Sequence, residues 1–376
     1  MLSKKTKEPV WLAIIRIITA LVFIFSAFVK GVDPIGTEYR VIDYLEAYGW
    51  YSMLDYTYVL SLVLISVEFL LGVALLFKLK SRLASLGVLL IMIIFFVVTY
   101  IDARYELVPD CGCFGDAVKL TNWETFYKNI VLLLFAIVLF VFRSSLSIRM
   151  RKGMQFFLLI VILGAFGWFM NYNVNHLPMM DFREWKVGND MKSSGKETVV
   201  NYLVYQNKET GEIQEFVSPN YPWNDSVWMS EWEFKNQRVD DSKLVLKHGL
   251  IVEDADGNNV TEDLVENPDY QFILTVYDIE TADSYGMAKA SEIYHNLPGD
   301  NISFALVTSS TPEDIEPYLS EYNMYYDTYF GDDIELKAMI RSNPGLILLQ
   351  DGIVKAKWHF NDFPDKENIN KLFADD

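Results

Sequence analysis

Cysteine is scarce in this chain: Cys111 and Cys113 are the only two among 376 residues. They stand one residue apart, and the C-terminal half holds none, so no disulfide can staple that half. Histidine is scarce too. His176, His248, His295 and His359 all lie in the distal half and show no metal-ligand spacing. Positive charge is thin beyond residue 170: residues 171–376 hold 16 Lys and Arg against 38 Asp and Glu, a net of −22. Residues 1–170 hold 16 against 12, a net of +4. An acidic half of this kind is repelled by nucleic acid and by anionic lipid headgroups, which argues against both as its partners.

Charge is nearly missing from five apolar runs, at residues 10–29, 58–77, 83–101, 126–142 and 154–170. Each is close to the ~20 residues a helix needs to cross ~30 Å of hydrocarbon. A helix satisfies its own backbone polar groups, which lipid cannot do. Lys4, Lys5 and Lys7 precede the first run as in a secretory signal. That run exceeds the usual ~7–15 apolar residues and no small-x-small cleavage site follows, so it reads as a retained helix. Basic residues cluster before the first run, between the second and third (Lys78, Lys80, Arg82) and between the fourth and fifth (Arg143, Arg149, Arg151, Lys152). The positive-inside rule places those segments in the cytoplasm. The N terminus is then cytoplasmic, and everything after Met170 is periplasmic across a bacterial inner membrane. The loop carrying both cysteines is periplasmic as well.

Arg16 in the first run and Glu68 in the second are ionisable groups at membrane depth, where they are expensive. The two helices run antiparallel, and the expectation is that these side chains meet as a structural ion pair. A proton or ligand role is a second reading. A third has Arg16 snorkelling to the interface and Glu68 neutralised by desolvation. Lys30, at the end of the first run, reads as an interfacial anchor.

Taken together, Arg16, Lys30 followed by Asp33-Pro34, Glu68 with Gly72 four residues on, and Asn129 resemble the DoxX/MauE group of membrane proteins. The run Asp110-Cys111-Gly112-Cys113-Phe114-Gly115 carries most of that resemblance, which covers residues 10–142. It implies a four-helix bundle and a link to disulfide formation in a partner protein, without a known reaction. The fifth helix and the C-terminal region extend beyond the short family form, a layout similar to DoxX-like proteins of Bacteroidetes with no assigned activity.

Gly112 lets the backbone bend so that the two sulfurs can meet. A bond between residues i and i+2 departs from preferred disulfide geometry, and strained, exposed disulfides exchange readily. Three readings stay open: a redox-active pair, a static disulfide or packed thiols that shape the loop, and a metal site lacking further ligands.

Residues 171–196 are polar, with Gly188, Ser193, Ser194 and Gly195, and read as a linker. Residues 197–243 read as a β-rich segment. A hairpin signal spans 199–217 around Asn207-Lys208-Glu209-Thr210-Gly211, and Trp223, Trp228 and Trp232 follow, as a small core rather than a ligand groove. Residues 254–259 are a turn only loosely like a calcium loop. From residue 244 to 376 the pattern predicts a strand at 272–277, a helix at 281–297, a strand at 302–308 and a helix at 312–322. Two strands then flank Asp351-Gly352, and a closing helix spans 366–373. This order resembles the thioredoxin fold, which implies a cis peptide bond before Pro344. The active-site dithiol of that fold would fall at Asp278-Ile279-Glu280-Thr281, where no thiol stands. The domain therefore cannot perform thiol chemistry alone.

The fold class is thus an α-helical transmembrane bundle (residues 1–150, plus a fifth helix at 151–170) followed by an α/β thioredoxin-like domain. Two functions compete. In one, Cys111 and Cys113 exchange with an extracytoplasmic protein thiol as a membrane thiol–disulfide oxidoreductase, with quinone as electron acceptor. In the other, the protein is a non-enzymatic membrane scaffold whose redox-inactive domain binds an envelope protein. The lipid bilayer is the partner in either case.

Overall fold

A computed structural model describes residues 8–108, 112–146, 150–193, 200–240, 247–298 and 301–373. Five helices in them have the length and apolarity to cross a membrane: Val10–Val32, Tyr51–Leu76, Ser81–Tyr105, Asn122–Val141 and Lys152–Asn175. In chain order the first elements are α1 (Val10–Val32), α2 (Pro34–Ala47), α3 (Thr57–Leu76), α4 (Ser81–Tyr105), α5 (Asn122–Val141) and α6 (Lys152–Asn175). A short 3-10 turn leads into α3 and completes the second span.

Helix α2 escapes a search for apolar runs because it is only half apolar. Its start is nevertheless written in Asp33-Pro34. The Asp33 side chain accepts from the Gly36 N–H at 2.9 Å, and Pro34 occupies the first turn, where its missing N–H is harmless. Thr121 and Glu124 form a reciprocal capping box at the start of α5.

Helix α1 packs along α3, and α4 along α5. Gly72 of α3 permits the first approach. A Cβ there would stand 2.8 Å from Ile24 Cγ1 and 3.0 Å from the Ala20 carbonyl, so no larger residue fits without moving backbone. Leu12, Ala20, Leu75, Val88 and Leu139 close the bundle core. Helix α6 sits at its edge. Phe166 stacks on Phe69 with ring centroids 3.8 Å apart, and Asn173 Nδ2 donates to the Gly31 carbonyl.

A small antiparallel sheet follows: β1 (Val200–Asn207), β2 (Ile213–Val217), α7 (Ser226–Glu231) and β3 (Trp232–Asp240), in the order β2-β1-β3. Tyr205, Phe216, Trp228 and Trp232 form its aromatic core, whereas Trp223 is exposed.

The remaining elements are β4 (Val252–Glu253), α8 (Thr261–Val265), β5 (Tyr270–Val276), α9 (Ser284–His295), β6 (Ile302–Thr308) and α10 (Pro312–Glu321). Then come β7 (Asp327–Gly331), α11 (Asp333–Met339), β8 (Gly345–Gln350), β9 (Ile353–His359) and α12 (Lys366–Leu372). Their six strands form one mixed sheet in the order β4-β7-β6-β5-β8-β9, with β5, β6 and β7 parallel. Period-two alternation feeds two cores. Phe272, Leu274 and Leu348 face Met287, Ile293 and Ile369 on one side, while Ile273, Ile347 and Leu349 face Leu336 and Met339 on the other.

The polar segment after α6 is no free tether. Residues 171–175 continue α6, and Trp185 and Met191 are 1% exposed in the second of those cores. The Met191 N–H donates to the Gly352 carbonyl, and Asp190 bridges to Ile353. Two large apolar side chains suffice to draw a polar strap onto the sheet.

Candidate functional site at the junction of bundle and domain

Ser26 and Lys30 are four residues apart on α1 and so share one face. That face meets Glu68 of α3. Lys30 Nζ lies 2.9 Å from each Glu68 carboxylate oxygen, and Ser26 Oγ lies 3.1 Å from Oε2. The side chains of Lys30 and Glu68 are 6% and 2% exposed. Lys30 is therefore the partner of a buried carboxylate, not an interfacial anchor.

Arg16 and Glu68 do not meet. Arg16 Nε donates to Glu8 Oε1 at 2.7 Å, and Nη1 donates to the carbonyls of Leu75 and Leu76. Glu8 also binds Lys78. The register of the two helices explains the correction. Residue 26 stands level with 68, and residue 16 with 75 and 76, which leaves Arg16 and Glu68 about ten residues, or ~15 Å, apart along the axes.

The cysteine loop lies against the same end of α1. Ser26 Oγ is 2.7 Å from the Cys113 carbonyl, so one hydroxyl faces two acceptors, that carbonyl and Glu68. Phe114 packs against Phe25, and Lys128 sits over its ring. Gly112 and Gly115 have φ of +58° and +50°, and a Cβ on Gly112 would press on Arg40 of α2. Cys113 is a half-buried free thiol. Cys111, with Pro109 and Asp110, lies outside the described residues.

Above the loop stands the α/β domain. The Asn343-Pro344 bond is cis, as the resemblance implies. Asn343 Nδ2 donates to the Asp278 carbonyl at 2.5 Å and to Thr281 Oγ1 at 3.2 Å. The segment Asp278, Ile279, Glu280, Thr281 thus adjoins Pro344, and Ile279 is buried.

Asp33 both caps α2 and binds Arg341, with Nε to Oδ2 at 3.0 Å. A Cβ on Gly36 would collide with both side chains, so glycine keeps that contact open. Arg341 and Lys337 lie over the Tyr39 ring, whose hydroxyl hydrogen-bonds Tyr277. Burial works against the Asp33 carboxylate, but Arg341, Arg183 and the Gly36 N–H outweigh it and hold its pKa below the ordinary value. Burial pushes the Tyr277 hydroxyl up.

Bundle and domain enclose a cavity of about 700 Å³. Lys30, Arg40 and Gly112 line it from the bundle, and Arg183, Glu335 and Arg341 from the domain. Among the described residues no cluster of three His, Cys, Asp or Glu could hold a metal. At Asp254 the side chain accepts from the N–H groups of Asp256 and Asn258, closing the turn on itself.

Neither Ser26 nor Arg341 stands out as a site residue in the sequence, and Asp33 does so only within the Asp33-Pro34 pair of the resemblance. The spacing of Ser26 and Lys30 was a usable signal for the first. Nothing local marks Arg341, whose partner is 308 residues away.

Residues 8–142 match the family described as Methylamine utilisation protein MauE. The match stops at the end of α5 and leaves α6 and the α/β domain outside it. No curated protein and no solved structure matches the chain.

Proposed function

We propose that this multi-pass membrane protein exchanges disulfides with a partner through Cys111 and Cys113, under a domain that receives the partner. One observation carries this reading: the cysteine loop is fastened through Ser26 to the buried Lys30–Glu68 pair and borders a cavity roofed by the α/β domain. Pinning of this kind holds a short loop in one presentation. The basic links between helices support placing the loop and domain outside the cytoplasm.

The step balances as follows. A partner thiolate attacks one sulfur of the Cys111–Cys113 disulfide, that bond breaks, and a mixed disulfide forms. A second partner thiolate attacks the mixed disulfide. The partner leaves oxidised, and both cysteines remain as thiols. A membrane quinone then takes two electrons and two protons from these two thiols and becomes quinol, and the Cys111–Cys113 bond re-forms.

The sheet order around β5, β6, β8 and β9, with α9 following β5, supports a thioredoxin-like assignment for the domain. Since no cysteine stands at Asp278 to Thr281, its part is to bind and position.

The test is trapping in whole cells. Cys113→Ser cannot close the ring; its Cys111 thiolate attacks the disulfide of an oxidised partner, releasing one partner thiolate and leaving a mixed disulfide, visible on non-reducing gels and released by reductant. The scaffold reading is favoured by the lack of thiols in the domain and by the Asp33–Arg341 clamp. If both single cysteine variants label and assemble like wild type, with no trapped species, the scaffold reading replaces the redox one.

A further inference from the structure

A buried cation with only a shared counter-ion stands on the cavity wall. The Arg183 side chain is 7% exposed. Its Nε donates to Asp181 Oδ1 at 3.3 Å and its Nη1 to the Lys337 carbonyl at 3.4 Å. Its Nη2 is buried and has no hydrogen-bond partner among the described residues. Asp181 does not serve Arg183 alone, because its other oxygen takes Lys357 Nζ at 2.9 Å. Arg341, the third cation of the cluster, is bound to Asp33. Three buried cations therefore share two carboxylates.

A buried charge left uncompensated is strongly unfavourable, and an unsatisfied buried donor calls for a missing partner. The cluster registers the strain. Burial first, then Arg183, pushes the Lys357 ammonium down to about 8 in spite of Asp181.

The remaining wall cations have partners. Lys30 binds Glu68, Arg40 binds Asp43, Lys119 binds Glu184 and Lys337 binds Asp333. The wall also carries Asp116 and Glu335. Those two acids repel a polyanion such as a polyphosphate. They tolerate a ligand with a single negative group that reaches Arg183. A planar guanidinium fork suits a carboxylate. The cavity volume falls inside the ~300–1,000 Å³ of ordinary ligand sites.

We propose that this cavity binds a carboxylate, held by the Arg183 guanidinium. The group comes from a free small acid, or from an acidic side chain or C terminus of the peptide that brings its thiols to the cysteine loop. The peptide source rests on the thiol-exchange reading; the free acid does not.

The experiment follows thermal unfolding of the full chain in detergent. The probes are N-acetylglycine and its amide, and the peptides acetyl-Gly-Asp-Gly-amide and acetyl-Gly-Asn-Gly-amide. A ligand that binds only the folded state raises the midpoint in a saturable way. Both acids are expected to do so and both amides to fail. Arg183→Gln should weaken acid binding by about tenfold or more, the worth of a charge-assisted hydrogen bond. Lys371→Gln, which removes an exposed cation of α12, should leave it unchanged. Tighter binding of the acidic peptide assigns the carboxylate to a partner, and equal binding assigns it to a free acid. Equal stabilisation by acid and amide in the wild type overturns the proposal, whether or not Arg183→Gln folds. So does unchanged acid binding in that variant. The double variant Cys111→Ser, Cys113→Ser should still bind acids. Retained binding here, together with no partner trapped by either single cysteine variant, would remove the thiol reading and leave this site standing.

Discussion

The bundle and the α/β domain bury charge by different rules. Within the bundle, Lys30 and Glu68 meet one to one, with side chains 6% and 2% exposed, and sharing is confined to the start of α1, where Glu8 takes both Arg16 and Lys78. In the domain, Arg183, Lys357 and Arg341 share Asp33 and Asp181 beside a cavity. The domain also buries His359, and there burial works against the charged form. The contrast follows from the surroundings. Hydrocarbon offers no water or ion to an unpaired charge, so a span must carry its own counter-ion. A domain beside a polar cavity can leave part of that task to whatever occupies the cavity.

The sharpest way to break this comparison is to remove one partner in the bundle. Lys30→Met strands Glu68 and should destabilise the protein by ~3–5 kcal/mol, as does breaking other buried pairs. The double variant Lys30→Met, Glu68→Leu should recover much of that loss. Denaturation in detergent measures both. A single variant as stable as the double would show that Glu68 does not depend on Lys30. Arg16→Met should cost less than Lys30→Met, because Glu8 keeps Lys78.

The outcome at these residues shows what a sequence can and cannot display. Hydropathy over ~20 residues reflects one large free energy, the transfer of a helix into lipid, and so the five spans are legible. Pairing depends on helix register instead. Arg16 and Glu68 drew attention because each interrupts an apolar run, yet the level of Gly72 against Ala20 and Ile24 sets them at different depths. Helix α2 was hidden for a related reason. It lies outside the spans, and its signal is the cap at Asp33 rather than an apolar run. In the domain, the strands at 302–308 and 345–350 are almost continuous in apolar residues, and their limits follow directly. β7 and α11 were not foreseen. Tyr329 and Phe330 sit among acidic residues, and α11 is only 7 residues long. The loop at Cys113 was legible as chemistry, but its anchor Ser26 lies 87 residues away and came only with the fold.

A smaller effect should come from pH. Burial lowers the His359 pKa from 6.5 to about 4, with Asp362 opposing and His176 assisting. The neutral ring accepts from the Asn361 N–H at 3.2 Å. Between pH 6.5 and about 4 the unfolded chain binds the proton and the folded chain does not. Stability therefore rises with pH across this window, is complete above it, and is lost progressively on acidification. His359→Gln keeps an acceptor without the titration and should flatten that limb of the unfolding midpoint against pH. An unchanged slope would mean that another group carries the acid sensitivity.

The least effect belongs to a charge pair that resembles the bundle pair in distance alone. Arg238 Nη2 is 2.7 Å from Glu215 Oε2 across the small sheet, but these side chains are 47% and 41% exposed. Water already solvates both ions in the folded and the unfolded chain, so little desolvation needs repayment and little attraction survives. Arg238 also lies over the Tyr202 ring and keeps that contact when the carboxylate is gone. Glu215→Gln should therefore leave the unfolding midpoint unchanged within error at physiological salt, where the Debye length of ~8 Å screens exposed charges. It should also leave the loss caused by Lys30→Met undiminished when the two are combined, since the sites share no partner. A clear destabilisation by Glu215→Gln that vanishes in high salt would mean that distance rather than burial governs ion pairs in this protein, and the contrast between bundle and surface would have to be given up.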